Sequence, residues 1–488
     1  MASILARYNF YIASTLALCF LLAVVEQTRG QSSSKGTIST FDLSGWGIDS
    51  IYYVKQGIRG AASCAASSCH GGPKAGISSM EAPRGSEYPL WLESDPHAMS
   101  WKTISSEASV QILTKLGILH DGKIANVAAY QNCLACHNTD RIVSTVSTSP
   151  RIAEGVGCES CHGPAEPWYD RHYQGPSSAQ SAILSLGLTD SGPLVRRAKV
   201  CTMCHVGSKD RDMNHDIIAA GHPALYFDMA VYHEAYPKHW RDTDQSDPDF
   251  RPRLWLAGQI AMADSELELL ESRACKSLPV STWPELSNYQ CNSCHFTLDG
   301  IPKAVESLGR ELVVKGRAPI RNWNLAGISS LSRSRDIPET DMIKSINELQ
   351  ALLHGANPDS KRVAEETRKL RVQLYESVYR ENVTYMLSDW TRGKQTRLSV
   401  QLLDDAKQSS SWEVAAGAYA AAWATHVRGT QGDLELAMKT MRNGLLFPTD
   451  RTMPRFPRSQ NERTPPTLEE WNDALLDAVS TLTNEVRR

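Results

Sequence analysis

The stretch GVGCESCHGPAEPWYDRHY, residues 155–173, decides the fold. It places Cys158 and Cys161 three positions apart and sets His162 directly after the second cysteine. A zinc clip, a redox dithiol and an attachment point for haem all use a Cys-x-x-Cys pair. The histidine, and the number of copies of the pattern along the chain, distinguish these three chemistries.

The Cys-x-x-Cys-His pattern occurs four times, and a looser fifth copy has four residues between its cysteines. The five stretches are CAASSCH (64–70), CLACH (133–137), CESCH (158–162), CTMCH (201–205) and CNSCH (291–295). The chain has 14 histidines in 488 residues. A histidine would follow a given cysteine in roughly 3% of cases, so five such pairs by accident have a probability on the order of 10⁻⁸. The histidine is therefore part of the motif.

Covalent haem attachment is the chemistry that requires all three residues. Two thiols form thioethers with the haem vinyl groups and the adjacent imidazole binds the iron, whereas zinc ribbons and thioredoxin-like dithiols do not require the histidine. We therefore predict five covalently bound haems c, with a disulfide or two unattached thiols as the alternative at the looser first motif. The predicted attachment residues are Cys64, Cys69, Cys133, Cys136, Cys158, Cys161, Cys201, Cys204, Cys291 and Cys294, and the predicted proximal ligands are His70, His137, His162, His205 and His295.

The N-terminal segment predicts export. Arg7 precedes an apolar run from Phe10 to Val25, which has the length of a signal-peptide core and is short for a membrane-spanning helix. No Ala-x-Ala cleavage site follows, so an uncleaved anchor is the alternative. We expect a periplasmic or otherwise extracytoplasmic protein, in which an uncleaved N-terminus would provide membrane association.

The charge of the chain argues against nucleic-acid binding, and two cysteines lie outside the motifs. The net charge is −3 and no basic run occurs, so nucleic-acid binding is not indicated. Ten of the 12 cysteines belong to the motifs. Cys19 lies inside the N-terminal apolar run, and Cys275 is interpreted as a buried small residue or a free thiol.

The distribution of the motifs divides the chain. The predicted parts are a signal peptide or anchor (1–30), a linker (31–51), a pentahaem cytochrome c domain (52–300), a second linker (301–338) and a C-terminal helical domain (339–488). The haem region is interrupted by Gly, Pro and Trp and has few long periodic runs. We expect a mainly α fold in which this region has little regular structure and is built around stacked haems. A C-terminal helical bundle would follow, covering or extending it.

Several segments after residue 338 have helical periodicity. Met342, Ile346, Leu349 and Leu353 recur at helical spacing, and the series Val363, Leu370, Leu374 and Val378 repeats the pattern. Apolar residues at this spacing predict amphipathic helices that bury one face.

Each haem iron has a second axial position, for which histidines outside the motifs are the candidates. His97 follows Asp95 and Pro96, which can cap and begin a helix. His172 lies on a loop ten residues after His162. This spacing would let the loop reach another haem.

His215 and His222 are seven residues apart. In a helix they would share a face at a distance of about 10 Å, so two stacked haems could each take one. His120, His233 and His239 rank below the other four histidines, and one of these three would serve the fifth haem.

The stretches EYPLWLESDPHAMSW, CLACHN, GVGCESCHGPAEPW and NHDIIAAGHPAL, in this order, resemble the multihaem c-type cytochromes of the cytochrome c-552 and c-554 type. The resemblance is greatest to the large exported versions of planctomycete-type bacteria and covers roughly residues 52–300. It implies bis-histidine haems stacked in close pairs and electron transfer with redox partner proteins. By position, it assigns distal ligation to His97, His172, His215 and His222.

The sequence therefore predicts an exported pentahaem c-type cytochrome that transfers electrons through a chain of covalently bound, mostly bis-His haems. The alternative is a multihaem oxidoreductase that acts on nitrite, hydroxylamine or NO at one haem with an open distal site. Every motif ends in histidine and no Cys-x-x-Cys-Lys occurs, which favours the carrier. No residue is assigned a catalytic role.

Overall fold

In a computed structural model of the protein, the described residues are 57–72, 85–140, 154–174, 183–240, 247–275, 282–290, 320–333, 342–355, 357–378, 387–409 and 412–425, with positions 435, 438, 439, 442, 480 and 481. They belong to one compact unit that runs from Ile48 to Arg488. The predicted export segment and the fifth motif, at 291–295, lie outside the described residues. The predicted domain boundaries stay predictions.

The fold is mainly α-helical, as the sequence predicts. The described part of the chain contains α1 (Glu87–Ser94), α2 (Ser100–Ile104), α3 (Glu107–Lys115), α4 (Val127–His137), α5 (Cys158–His162), α6 (Leu194–His205), α7 (His215–Ala220), α8 (Met229–Ala235), α9 (Phe250–Ala274), α10 (Ala326–Arg333), α11 (Met342–Leu353), α12 (Ser360–Val378), α13 (Arg392–Ser409) and α14 (Trp412–Thr425). Short 3₁₀ turns occupy Ala61–Cys64, Pro96–Met99 and Leu286–Asn288. Most of the described chain is thus organised by helix packing.

The sheet of the described region is one small hairpin. The strands β1 (Leu119–His120) and β2 (Lys123–Ile124) pair antiparallel. The connecting Asp121 and Gly122 have φ angles of 48° and 71°, which an Asp-Gly hairpin turn accommodates. His120 lies beside this turn with 79% of its side chain exposed.

Polar side chains fix where the helices around the motifs begin. Asn126 accepts a hydrogen bond of 3.0 Å from the amide of Ala129 at the start of α4. Asn214 accepts one of 3.0 Å from the amide of Ile217 at the start of α7. Such side chains satisfy amides that lack partners within the first helical turn. The local sequence therefore sets the N-termini of helices that carry candidate ligands.

Helix α9 is the centre of the packing. It contacts α6 and α8, from the part of the chain that carries the motifs, and α10, α12 and α14, from the C-terminal part. Trp255, Leu256, Ile260 and Leu267 are at most 1% exposed. Burial of this apolar surface is the main stabilising contribution. The same helix therefore supports both predicted parts of the protein.

Helix α9 departs from the expectation of little regular structure before residue 300. It has 25 residues, of which 18 are buried. A helix that is buried on all sides lacks the one-sided apolar stripe by which an amphipathic helix is recognised. Its sequence therefore gives a weak periodic signal, although the helix is the longest in the described part of the chain.

The C-terminal helices agree with their predicted periodicity. Met342, Ile346, Leu349 and Leu353 lie in α11 and are at most 3% exposed. In α12, the buried residues Val363, Leu370 and Leu374 repeat this arrangement. Helix α10 lies inside the predicted linker 301–338. Within the described residues, no helix combines the length and apolar composition that crossing a membrane requires.

Candidate metal centres

Three described motifs are parts of helices. CLACH ends α4 at His137, CTMCH ends α6 at His205, and CESCH is α5 itself. Residues three and four positions apart share one face of a helix, so both thiols and the imidazole point to the same side. The looser first motif instead runs from the 3₁₀ turn at Ala61–Cys64 into a turn that holds Cys69 and His70.

Two glycines explain how the chain enters and leaves α5. Gly155 has a φ of 60°, and a Cβ there would lie 2.7 Å from the carbonyl oxygen of His97. The amide of Val156 donates a 3.1 Å hydrogen bond to that carbonyl. Gly163 ends the helix with a φ of 85°, and a Cβ there would lie 2.2 Å from the Gly187 carbonyl oxygen. Glycine is the residue that tolerates both the conformation and the close approach.

Glu159, between the two cysteines of α5, joins the third motif to the first. Its carboxylate accepts hydrogen bonds from the amides of Arg59 at 3.0 Å, Gly60 at 2.7 Å and Ala165 at 2.7 Å. Glu159 is 2% exposed, and hydrogen bonds to a charged acceptor are stronger than neutral ones. The segment that leads into the first motif is therefore held against α5.

The histidine of each described motif lies opposite a histidine from outside the motifs. The four imidazole pairs and the distances between their ring centres are His70–His172 at 6.2 Å, His97–His205 at 6.1 Å, His137–His222 at 6.2 Å and His162–His239 at 6.2 Å. The planes of the first pair are 12° apart, and those of the other three are 65° to 82° apart. Four nearly equal separations at different ring angles indicate a common spacer rather than direct ring stacking.

This separation fits one iron between two imidazoles. An imidazole nitrogen binds a metal at about 2 Å and the ring centre lies about 1.2 Å behind it, which gives about 6.4 Å between two opposed ring centres. The eight described motif cysteines are thiols rather than disulfides, as thioether attachment requires. Among the described residues, no three His, Cys, Asp or Glu side chains converge to hold a bare ion. The residues present therefore fit haem c.

The electrostatics favour the neutral imidazole at two of the motif histidines. Burial lowers the pKa of His205 to about 3, and the neighbouring His97 and His137 contribute in the same direction. Burial lowers the pKa of His162 to about 4, with a further contribution from His239. A neutral imidazole keeps the lone pair that a metal ligand needs.

The second ring nitrogen of several paired histidines has an acceptor. The Nδ1 contacts are His97 to Asp95 Oδ1 at 2.9 Å, His70 to Glu87 Oε2 at 3.1 Å, His172 to the Tyr169 carbonyl at 2.6 Å and His222 to the Pro223 carbonyl at 2.9 Å. Carboxylate and carbonyl oxygens are acceptors, so we assign the proton to Nδ1 in each case. Nε2 is then left to bind the metal.

The motifs are neighbours in space in an order that differs from the sequence. The thiol of Cys64, in the first motif, adjoins that of Cys158, in the third, and this neighbour lowers the pKa of the Cys64 thiol to about 7. Burial raises the pKa of the Cys161 thiol, and Cys201 and Cys204 of the fourth motif lie close enough to raise it further. The third motif therefore lies between the first and the fourth.

The second motif adjoins the fourth. The charge of His137 contributes to the low pKa of His205, after burial and His97. The guanidinium Nε of the buried Arg211 donates a 2.9 Å hydrogen bond to the carbonyl of Ala135, inside CLACH. The fourth motif therefore adjoins both the third and the second, while the hydroxyl of Thr139, two residues after CLACH, also lies 2.8 Å from that of Ser160 in CESCH.

Of the histidines that the sequence singles out, His97, His172 and His222 each face a motif histidine. His239, which ranked below them, also does. It lies in an irregular segment after α8, where neither a cap nor a periodic pattern marks it. Its partner is distant in sequence, so no local signal could have ranked it higher.

His215 faces no described motif histidine at these distances. It is the first residue of α7, and its amide donates a 2.8 Å hydrogen bond to Glu285. The expectation that His215 and His222 lie two turns apart on one helix is wrong, because α7 ends at Ala220 and Gly221 follows with a φ of 122°. Glycine in this conformation ends helices.

The other two candidates have different surroundings. His120 is exposed on the hairpin and its Nδ1 lies 3.2 Å from Asp121. His233 is buried, and its Nε2 lies 3.2 Å from a guanidinium nitrogen of Arg197. Cys291, Cys294 and His295 of the fifth motif lie outside the described residues. Cys275 is an exposed thiol at the end of α9, not the buried residue that was one of its two predicted interpretations.

Residues 63–163 match the family model described as cytochrome c554 and c-prime. The match contains the first three motifs and ends directly after His162. No curated protein and no solved structure matches the chain. The motif chemistry and this match define a c-type cytochrome, a protein that binds haem c covalently and serves in electron transfer.

Proposed function

We propose that the protein is an exported pentahaem c-type cytochrome of the c-554 type that passes electrons through a chain of mostly bis-His haems to and from redox partner proteins. The observation that carries the proposal is the set of four imidazole pairs, each with ring centres 6.1 to 6.2 Å apart. The haem irons would supply the one-electron redox couples.

The pairs favour a carrier over an enzyme. Each joins one motif histidine to one histidine from elsewhere, so both axial positions would be occupied at four centres. A substrate that binds iron needs an open position, as catalytic metal sites in general do. The proposed bis-His ligands are His70 with His172, His205 with His97, His137 with His222 and His162 with His239.

The spatial order of the motifs supports a continuous chain of centres. The first and third motifs touch through Cys64 and Cys158. The third and fourth motifs adjoin through Cys161 and Cys201. His205 and His137 then bring the fourth motif beside the second. We propose that this arrangement, first to third to fourth to second, is the path of the electrons.

His215 is our proposed distal ligand for the fifth haem. The Glu285 carboxylate accepts hydrogen bonds from the backbone amides of His215 and Ser287, with nitrogen–oxygen distances of 2.8 and 3.0 Å. This contact holds the start of α7 beside the segment that leads toward Cys291, and the sequence and the family resemblance both favour His215. His295 would be the proximal ligand.

The C-terminal helices would support the haem-bearing helices. Lys199, two residues before the fourth motif, donates hydrogen bonds to Asp264 and Glu268 of α9. Arg371 of α12 lies 3.2 Å from Asp264. One ion network therefore connects α6, α9 and α12, which supports a structural role for the C-terminal region.

The proposal predicts five haems per chain, all low-spin when oxidised. The test is haem quantification and electron paramagnetic resonance of the full chain matured in a host that attaches haem c. Four or fewer haems would contradict the pentahaem proposal. A high-spin signal equal to one haem would reveal an open site and favour the oxidoreductase.

Single substitutions test the ligand assignment. His239→Ala should convert one haem to high spin, because the ring opposite His162 is removed. His120→Ala is the matched control, since His120 is 79% exposed on the hairpin and should leave every haem low-spin. An unchanged spectrum in His239→Ala would contradict the proposed ligation.

A further inference from the structure

The environment of His97 differs from that of two other proposed distal ligands, His172 and His222. Its Nδ1 lies 2.9 Å from Oδ1 of Asp95, whereas His172 and His222 present Nδ1 to the backbone carbonyls of Tyr169 and Pro223. The Asp95 side chain is 1% exposed. A buried carboxylate interacts more strongly with its hydrogen-bond donor than a neutral carbonyl does, because solvent screens it little.

Both oxygens of Asp95 are held in place. Oδ1 accepts two hydrogen bonds of 2.9 Å, one from the backbone amide of His97 and one from its ring Nδ1–H. The first of these bonds caps the 3₁₀ turn Pro96–Met99. Oδ2 accepts a short hydrogen bond from the hydroxyl of Tyr236. The Tyr236 ring also lies 5.8 Å from the His97 ring. The carboxylate is therefore fixed in direction before any metal binds.

We propose that Asp95 is a positioning residue that lowers the reduction potential of the haem bound between His205 and His97. The inference rests on the proposed ligation by His97. By accepting a hydrogen bond from Nδ1–H, Asp95 makes the imidazole more electron-rich, which stabilises ferric more than ferrous iron. Tyr236 moderates this effect, because its hydrogen bond withdraws electron density from the same carboxylate.

Glu87 provides an internal comparison. Its Oε2 lies 3.1 Å from Nδ1 of His70, a proximal rather than a distal ligand. The Glu87 side chain is 25% exposed and that of His70 is 44% exposed. Solvent screens such a pair more than it screens Asp95 and His97. The effect of Glu87 on its own haem should therefore be smaller.

The test is a spectroelectrochemical titration of the haem-loaded full chain and two variants. Asp95→Asn keeps the geometry and removes the charge. One midpoint should rise by about 59 mV, the equivalent of a tenfold change in the preference for ferric iron. Tyr236→Phe keeps the ring and releases the carboxylate, so the same midpoint should fall. Glu87→Gln should raise a different midpoint by a smaller amount.

The opposite signs separate tuning from a merely structural effect. Shifts of Asp95→Asn and Tyr236→Phe in one direction, or no shift in either, would overturn the proposal. Asp95→Glu, which restores the charge, should return the midpoint toward its original value, and Tyr236→Phe remains decisive if Asp95→Asn fails to load haem.

The variant His97→Ala distinguishes failure of the role proposed for Asp95 from failure of the proposed ligation by His97. A new high-spin haem in His97→Ala, together with unshifted potentials in the other variants, would refute the role of Asp95 and retain the ligation. A fully low-spin spectrum would instead refute ligation by His97, and the inference would fail with it.

Discussion

Replacement of Arg371 by methionine should destabilise the protein by about 3 kcal/mol, because it removes one member of a largely buried ion network. The Arg371 side chain is 13% exposed. Its Nε lies 3.2 Å from Asp264 and its Nη1 lies 3.2 Å from Glu271. Lys199 donates a hydrogen bond to the other carboxylate oxygen of Asp264. The network joins α12 to α9 and to the helix of the fourth motif.

The magnitude follows from these contacts. Removal of one partner from a buried ion pair costs about 3 to 5 kcal/mol, because the remaining charge loses its compensation. Asp264 and Glu271 are 21% and 19% exposed, so solvent recovers part of the loss. Lys199 also remains beside Asp264. The expected cost therefore lies at the lower end of the range.

Arg368→Met is the matched control on the same helix. Arg368 pairs with Glu271 at 2.8 Å, but 56% of its side chain is exposed. Exposed pairs contribute at most about 1 kcal/mol. Urea titrations of the full haem-loaded chain, followed by far-ultraviolet circular dichroism, measure both variants without the ionic screening that guanidinium would add. Equal destabilisation by the two substitutions would refute the argument from burial.

The stability difference between the wild type and Arg371→Met should depend on pH. Burial raises the pKa of Asp264, but Lys199 and Arg371 outweigh this effect and lower the pKa from 3.8 to about 2. A depressed folded-state pKa contributes stability above the unfolded-state value, and this contribution is lost as the pH falls toward 2. The stability difference between the wild type and Arg371→Met should therefore narrow between about pH 4 and pH 2. A stability difference that stays constant over this pH range would contradict the role assigned to the Asp264 charge.

Two further predictions concern the haem geometry and the core. The 12° angle between the rings of His70 and His172 predicts one rhombic low-spin signal in the electron paramagnetic resonance spectrum, because near-parallel imidazoles act on the same iron d orbital. The crossed pairs should give more anisotropic signals. Signals of one type only would contradict these ring angles. Leu256→Ala in α9 should cost about 2 to 5 kcal/mol in urea unfolding, since it opens a cavity at a 0% exposed site. Leu286→Ala, at a 54% exposed site, should change stability by less than about 0.5 kcal/mol, and equal costs would refute the cavity argument.

The elements that the sequence predicts well are those with a local cause. The spacing of Met342, Ile346, Leu349 and Leu353 reflects one buried face, and α11 buries that face. Helix α9 has no such signature, because it is buried on all sides. The break after α7 depends on Gly221, a residue whose role as a helix terminator is visible in the sequence but competes with the apolar pattern around it.

The candidate ligands divide in the same way. His97 is marked locally, because Asp95 and Pro96 set up its turn before any tertiary contact forms. His239 has no comparable local signal, and its position opposite His162 results from contacts between segments far apart in sequence. Motif histidines could be predicted from spacing alone. The positions of their partners depend on the packing of the whole haem region, for which the local sequence gives no signal.

The imidazole pairs also bear on the stability of the fold. Haem ligation by each pair would cross-link residues separated by roughly 80 to 110 positions, and cross-links that close loops of this length remove much conformational freedom from the unfolded chain. The low pKa of His205, about 3, indicates that the site disfavours an ionised imidazole. Metal ligation would use its lone pair and offset the cost of its desolvation. The proposed electron path and the framework of the haem region are then the same set of bonds, so loss of a distal histidine should weaken both.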